Sequence, residues 1–241
     1  MLIEDLNEIW IYLAASPLFG LTVTLVIYHL AHRFYLAVNS AAIANPVAIA
    51  VALLIGLLLL IDMPYQDYFF GAQFIHFLLG PATVALAIPL YLQLDRIKSL
   101  FVPLMVGILV GVIVGTGSSI GIAKLTGADT AIWLSLAPKS VTAPVAMSIS
   151  EAIGGISTLT AVLVVTTGII GAVTGNTLLK YLRIEDNAVK GVAMGASAHG
   201  IGTARALQSN LTMGAFSGLS MALSALVSSL LIPVMIGLFK G

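Results

Sequence analysis

Leu136 to Met147 read LAPKSVTAPVAM, placing a lysine and two prolines inside a run of otherwise membrane-grade apolar residues. A charged side chain near a bilayer centre costs about 2.5 to 3.5 kcal/mol on insertion scales, and each proline removes a backbone donor that hydrocarbon cannot replace. Such a segment persists where it faces protein or a water-filled cavity. Lys139, Ser140 and Thr142 are therefore expected to line the place where something polar is handled, and function is sought there first.

The rest of the chain agrees with a membrane setting. Of its 241 residues 59% are hydrophobic and 8% charged, with a mean hydropathy of +1.10, whereas soluble domains carry about 25% charge. The net charge is zero and no basic run occurs, so the electrostatic footprint of a nucleic-acid-binding protein is missing. Cysteine is absent, which removes disulfide and thiolate chemistry. The start, MLIEDLNEIW, is acidic, while a cleavable signal peptide opens on a basic region, so the first helix is expected to stay. Apolar runs of helical length rather than alternating ten-residue strands predict an all-α integral membrane protein. No linker separates domains, and residues 1–241 read as a single polytopic transmembrane domain.

Windows of about 20 apolar residues place spans near Ile9–Leu30, Ser40–Ile61, Tyr68–Gln93, Leu100–Ile122, Ala131–Ile153, Ile156–Leu179 and Leu211–Leu238, with a glycine-rich segment around His199 before the last. That gives seven or eight spanning or re-entrant segments. Arg33, Arg96 and Lys98 set one side as cytoplasmic by the positive-inside rule. If every later segment crossed once, Lys180, Arg183 and Lys190 would land outside. A re-entrant hairpin over Ala131–Ile153, bent near Pro138 to Pro144, removes the conflict; a broken but crossing helix is the other reading. Broken helices of this kind are the secondary-transporter pattern. Proline breaks are expected at Pro46, Pro81 and Pro138/Pro144, and LGPATVA (from Leu79) resembles LAPKSVT (from Leu136) weakly enough to suggest, not establish, a repeat.

Several polar groups interrupt these runs. Lys139 beside the Ser140 and Thr142 hydroxyls suits an anion such as a carboxylate; its structural alternative is a lysine tied to free carbonyls or to Glu151, which is also a candidate coupling group. Gly195 to Ala206, GASAHGIGTARA, permits local unwinding. His199, with a side chain able to titrate near neutrality, is a candidate proton-coupling group and Arg205 can grip a carboxylate, or else His199 is a neutral core histidine bonded to a carbonyl and Arg205 snorkels. Gly80, Pro81 and Thr83 offer a free helix terminus for an anion, or a packing kink. Glycines 107, 111 and 115 space like a close-packing helix face. His29, His32 and Arg33 read as an interface cluster. No metal-ligand spacing and no catalytic constellation is found, so neither enzyme nor cofactor is expected.

The strings GPATVALAIPLY (Gly80–Tyr91), LAPKSVTAPVAM (Leu136–Met147) and AHGIGTARA (Ala198–Ala206) resemble three signature regions of the bacterial LrgB/CidB membrane protein family, over nearly the whole chain. Ala143 and the run Gly195-Ala196-Ser197 depart mildly from its pattern and leave ligand preference open. The resemblance implies a multi-pass protein of the bacterial cytoplasmic membrane, and a divided function. One side is a holin- or antiholin-like regulator of murein hydrolases and autolysis, acting with a small LrgA/CidA-type membrane partner. The other is a carrier of small monocarboxylates of the pyruvate, glycolate/glycerate or lactate type, since related plant plastid proteins exchange glycolate and glycerate. From their own chemistry, Lys139 is expected to hold the carboxylate of a small organic anion with Ser140, Thr142 and Thr83 as hydroxyl donors, with Pro81, His199, Gly200, Gly202, Thr203 and Arg205 completing the candidate site, Arg205 as a second anion contact or a gate and His199 as the candidate for proton linkage. A homo-oligomer in the lipid bilayer is expected, and several broken segments with separated cations favour the carrier.

Overall fold

The computed structural model describes residues 17–38, 41, 44–78, 81, 84–85, 88 and 91–240. Among these the secondary structure is helical with no strand, so the chain is an all-α membrane helical bundle. The helices are α1 (Pro17–Ala37), α2 (Pro46–Leu60), α3 (Tyr65–Phe77), α4 (Leu94–Ser99), α5 (Phe101–Leu125), α6 (Thr130–Leu136), α7 (Ala143–Ile153), α8 (Ser157–Tyr181), α9 (Asn187–Ser209) and α10 (Leu211–Lys240). By length and composition α5, α8 and Leu211–Gly237 of α10 are able to cross a membrane, while α2 and α7 are apolar but shorter. The chain falls into two compact units, 1–85 and 86–241.

In the first unit α1 packs on α2 and on α3. Gly20 lets the α1 backbone come close to the Tyr68 carbonyl, where any side chain would collide. Thr24 Oγ1 adds a 2.7 Å hydrogen bond to the Tyr68 hydroxyl. The expected break at Pro46 is instead a helix start. Asn45 Oδ1 accepts from the N–H groups of Val47 and Ala48, and proline in the first turn costs nothing because its missing N–H would have no helical partner there. His29, His32 and Arg33 lie within α1, not at its end, and His32 stacks on Tyr28 with ring centres 6.2 Å apart.

The second unit holds the site. The charged loop expected at Asp95–Lys98 is the short helix α4, joined to α5 through Leu100. After α5 the chain turns at Gly127 and α6 runs back along it. Lys124 Nζ sits 4.5 Å above the Trp133 ring, and Thr116 Oγ1 donates to the Ala137 carbonyl at 3.2 Å. The chain then breaks through 137–142 and reverses, and α7 returns to bring Ile156 N–H within 2.7 Å of Ser135 Oγ. This is a hairpin of two half-helices. Pro144 opens α7, and Gly154 closes it at φ 90°, a backbone region that glycine enters freely.

A second reversal lies in α9. At His199 the backbone takes φ 41° and ψ −133°, and Asn187–Ser209 is two helical arms meeting there. A straight helix would separate residues 194 and 202 by about 12 Å along its axis. Here a methyl placed on Gly202 would stand 2.9 Å from the Met194 carbonyl oxygen and 2.5 Å from the Ala198 Cβ. The arms run back to one end of α8: Met194 packs on Gly175, and Asn176 Nδ2 bonds Ser209 Oγ at 3.1 Å. Asn210 then caps α10.

A long helix followed by a reversing hairpin thus occurs twice, as α5 with α6/α7 and as α8 with the arms of α9. This differs from the repeat suggested by LGPATVA and LAPKSVT. The second hairpin is sealed by glycines: methyls on Gly171 and Gly168 would lie 2.5 Å from Ala198 Cβ and 2.7 Å from His199 Cε1. Gly191 and Gly195 likewise let the first arm lie against the Met213 and Ser217 carbonyls of α10.

Candidate functional site

Between the two hairpins lies a cleft of about 750 Å³, walled by α5, α8, the first arm of α9 and the break after α6. Among the described residues its polar lining is Lys139, Ser140, Thr167 and Ser197, and the other lining residues are apolar or glycine. Lys139 reaches it because the break frees the backbone at 137–142.

The Lys139 ammonium donates to Ser140 Oγ at 3.3 Å. Among the described residues no carboxylate lies within ion-pairing distance of it. Glu151, the expected rival partner, is exposed on the last turn of α7.

The other predicted residues do not gather at Lys139. Thr142 is the N-cap of α7, its carbonyl accepting from Ala146 N–H, and it does not line the cleft. His199 is buried at the tip of the second hairpin. Its Nε2 stands 2.9 Å from the Val164 carbonyl, and since a carbonyl only accepts, that nitrogen carries the proton. This geometry favours a core histidine over a proton carrier. Thr203 Oγ1 donates to the His199 carbonyl at 2.8 Å and meets Ser217 Oγ at 2.9 Å. Gly202 is buried where the arms touch, Gly200 is exposed at the bend, and Arg205 is half-buried on the returning arm, away from the cleft lining. Pro81 is exposed and belongs to the first unit, and Thr83 lies outside the described residues.

The glycine row, expected as a structural or oligomeric packing face, meets little among the described residues of this chain. Gly107 has no atom within 4 Å of a built Cβ, and Gly111 and Gly115 have theirs only at 4.0 Å. All three line the cleft. The four-residue spacing is real, but it hollows a wall instead of receiving a helix, and the sequence holds no signal that separates the two. Close-packing glycines lie elsewhere, among them Gly20 of α1, Gly168, Gly171 and Gly175 of α8 and Gly191, Gly195 and Gly202 of α9.

The LrgB-like family model matches residues 24–238, and the chain belongs to that family of membrane proteins. It is 39% identical to the uncharacterized protein YwbG of Bacillus subtilis (strain 168), over 76% of this chain and 82% of that protein. It is 35% identical to the holin-like protein CidB of Staphylococcus aureus (strain N315), covering 93% and 97%, and 33% identical to the CidB of Staphylococcus epidermidis (strain ATCC 12228 / FDA PCI 1200), covering 90% and 94%. No solved structure matches the chain.

Proposed function

We propose that the chain is a carrier of small organic monocarboxylates in the bacterial cytoplasmic membrane, with the substrate carboxylate bound to Lys139. The observation that supports this is the ammonium of Lys139 facing a cleft with one hydroxyl neighbour and no carboxylate in reach among the described residues. On this reading Ser140, bonded to the ammonium, helps orient the anion, and Ser197 and Thr167, which also line the cleft, are further hydroxyls for it. Two broken-helix hairpins fit alternating access around a fixed site, the hairpins rocking against the long helices. On this reading a small LrgA/CidA-type protein or a second copy of the chain assists without supplying the cation.

The second reading is a holin-like regulator or pore that acts on murein hydrolases with such a partner. It is favoured by the printed name of the CidB relatives, "holin-like", whereas the lone cation in a cleft favours the carrier. Purified protein in liposomes separates them. The carrier requires saturable uptake of labelled pyruvate, glycolate or lactate, lost in Lys139→Met and impaired in Lys139→Arg, whose planar guanidinium is a poor substitute for an ammonium. Saturable uptake by Lys139→Met at equal insertion would return the lysine to a structural role. Leakage without saturation would instead select the pore.

A further inference from the structure

The cleft is much larger and more apolar than a three-carbon acid requires. Clefts of about 300 to 1,000 Å³ hold drug-sized molecules, and this one measures about 750 Å³. Its shape is directional. Lys139 and Ser140 stand at Gly115, while the lining along α5 continues through Gly111 and Gly107 to Pro103, a further twelve residues or about 18 Å of helix. Lys139 and Ser140 mark the Gly115 end, and the lining toward Pro103 is Leu104, Ala188, Val189 and Phe216, with Arg96, paired to Asp186, lying 5.8 Å over the Phe216 ring. A carboxylate held at Lys139 therefore leaves an apolar trough beside it, floored by a glycine row that has no close packing partner among the described residues.

Building on the carrier reading, we infer that this site selects amphipathic monocarboxylates, the carboxylate on Lys139 and a branched or extended apolar body laid along Gly111 and Gly107. Gly111 and Gly107 are then specificity-determining positions: their missing side chains are the room the substrate's body fills. An acid with nothing beyond its head leaves the trough wet and forgoes the burial of apolar surface that the wall offers.

The test is equilibrium binding of two labelled acids with the same head, pyruvate and 4-methyl-2-oxopentanoate, to the full-length protein in detergent micelles. Each buried methylene contributes about fourfold in affinity, so the larger acid is expected to bind at least about tenfold tighter. Gly111→Leu is expected to lower that preference about tenfold by filling the trough, and Gly107→Leu to lower it in the same direction. The second variant serves should the first fail to insert. Lys139→Gln is expected to weaken both acids. Equal or tighter pyruvate binding, or glycine variants that weaken both acids alike, overturns the inference while leaving the carrier reading intact if Lys139→Gln still abolishes pyruvate binding. Failure of both acids to bind overturns both.

Discussion

The Thr160 hydroxyl lies 3.0 Å from the Ser135 carbonyl, so the first turn of α8 is fastened to the end of α6 across the whole first hairpin. Ser150 of α7 joins them, its Oγ 2.7 Å from Thr160 Oγ1, and all three residues are fully buried. Half-helices end inside the bundle with carbonyls that lipid cannot satisfy, and hydroxyls from neighbouring helices take over that task. Thr160→Val keeps the shape and removes the bonds. It should lower stability by about 1 to 3 kcal/mol, read as a lower Tm of the purified protein in detergent, with Thr160→Ser close to wild type.

Glycines on the two sides of the cleft should respond in opposite ways. Gly195→Ala drives a methyl onto the Ser217 carbonyl and to 3.0 Å from the Met221 nitrogen, both backbone atoms that give little. A loss of about 1 to 3 kcal/mol is expected from such overpacking. Gly117 on α5 has nothing within 4 Å of a built Cβ, so Gly117→Ala should be neutral or stabilising by up to about 1 kcal/mol through helix propensity. Thermal unfolding of both variants checks the contrast; equal losses would refute the hairpin packing described here.

Asp186 supplies a pH test outside the membrane. Desolvation works to raise its pKa, but the Ala188 and Val189 N–H groups and the Arg96 guanidinium outweigh it and hold the carboxyl below its ordinary value. Arg96 Nη2 lies 2.7 Å from Oδ2. A depressed folded pKa means that the stabilisation is present above the ordinary carboxylate range and is lost as pH falls through the folded value. The pair is largely exposed, so the effect is small and screened by salt. Asp186→Asn keeps a good N-cap and should flatten the acid limb of a Tm-against-pH curve, whereas Asp186→Ala should also lower Tm at neutral pH. An unchanged acid limb in Asp186→Asn would remove the ion pair from the account.

Accessibility distinguishes cleft from core. The chain has no cysteine, so single cysteines report cleanly. Ser197→Cys, exposed on the cleft wall, should react with a membrane-impermeant thiol reagent, and Ser140→Cys more slowly; Ser224→Cys, at 1% exposure on α10, should be protected. Rates at least about tenfold apart are expected, since thiol chemistry follows exposure. Rapid labelling at position 224 would show that water reaches the interior of α10 and would displace the cleft as the polar compartment.

The amino-acid sequence by itself determined the membrane class, because 59% hydrophobic residues with 8% charge cannot be dissolved in water as a folded domain. It also located the first hairpin, since Pro138 and Pro144 forbid a continuous helix there and Lys139 forbids lipid on that side. The second reversal was only half legible: the glycines of 195–206 permit it, but no proline requires it. The turn falls on His199, whose φ of 41° and ψ of −133° lie outside the main regions open to non-glycine residues, and it is held by another helix, with Gly168 against His199, Gly171 against Ala198 and the Val164 carbonyl bonded to the His199 ring. Tertiary structure alone decided which glycines pack and which open a cleft. A missing side chain is the same letter in both cases, and only the distance to the facing helix gives it meaning.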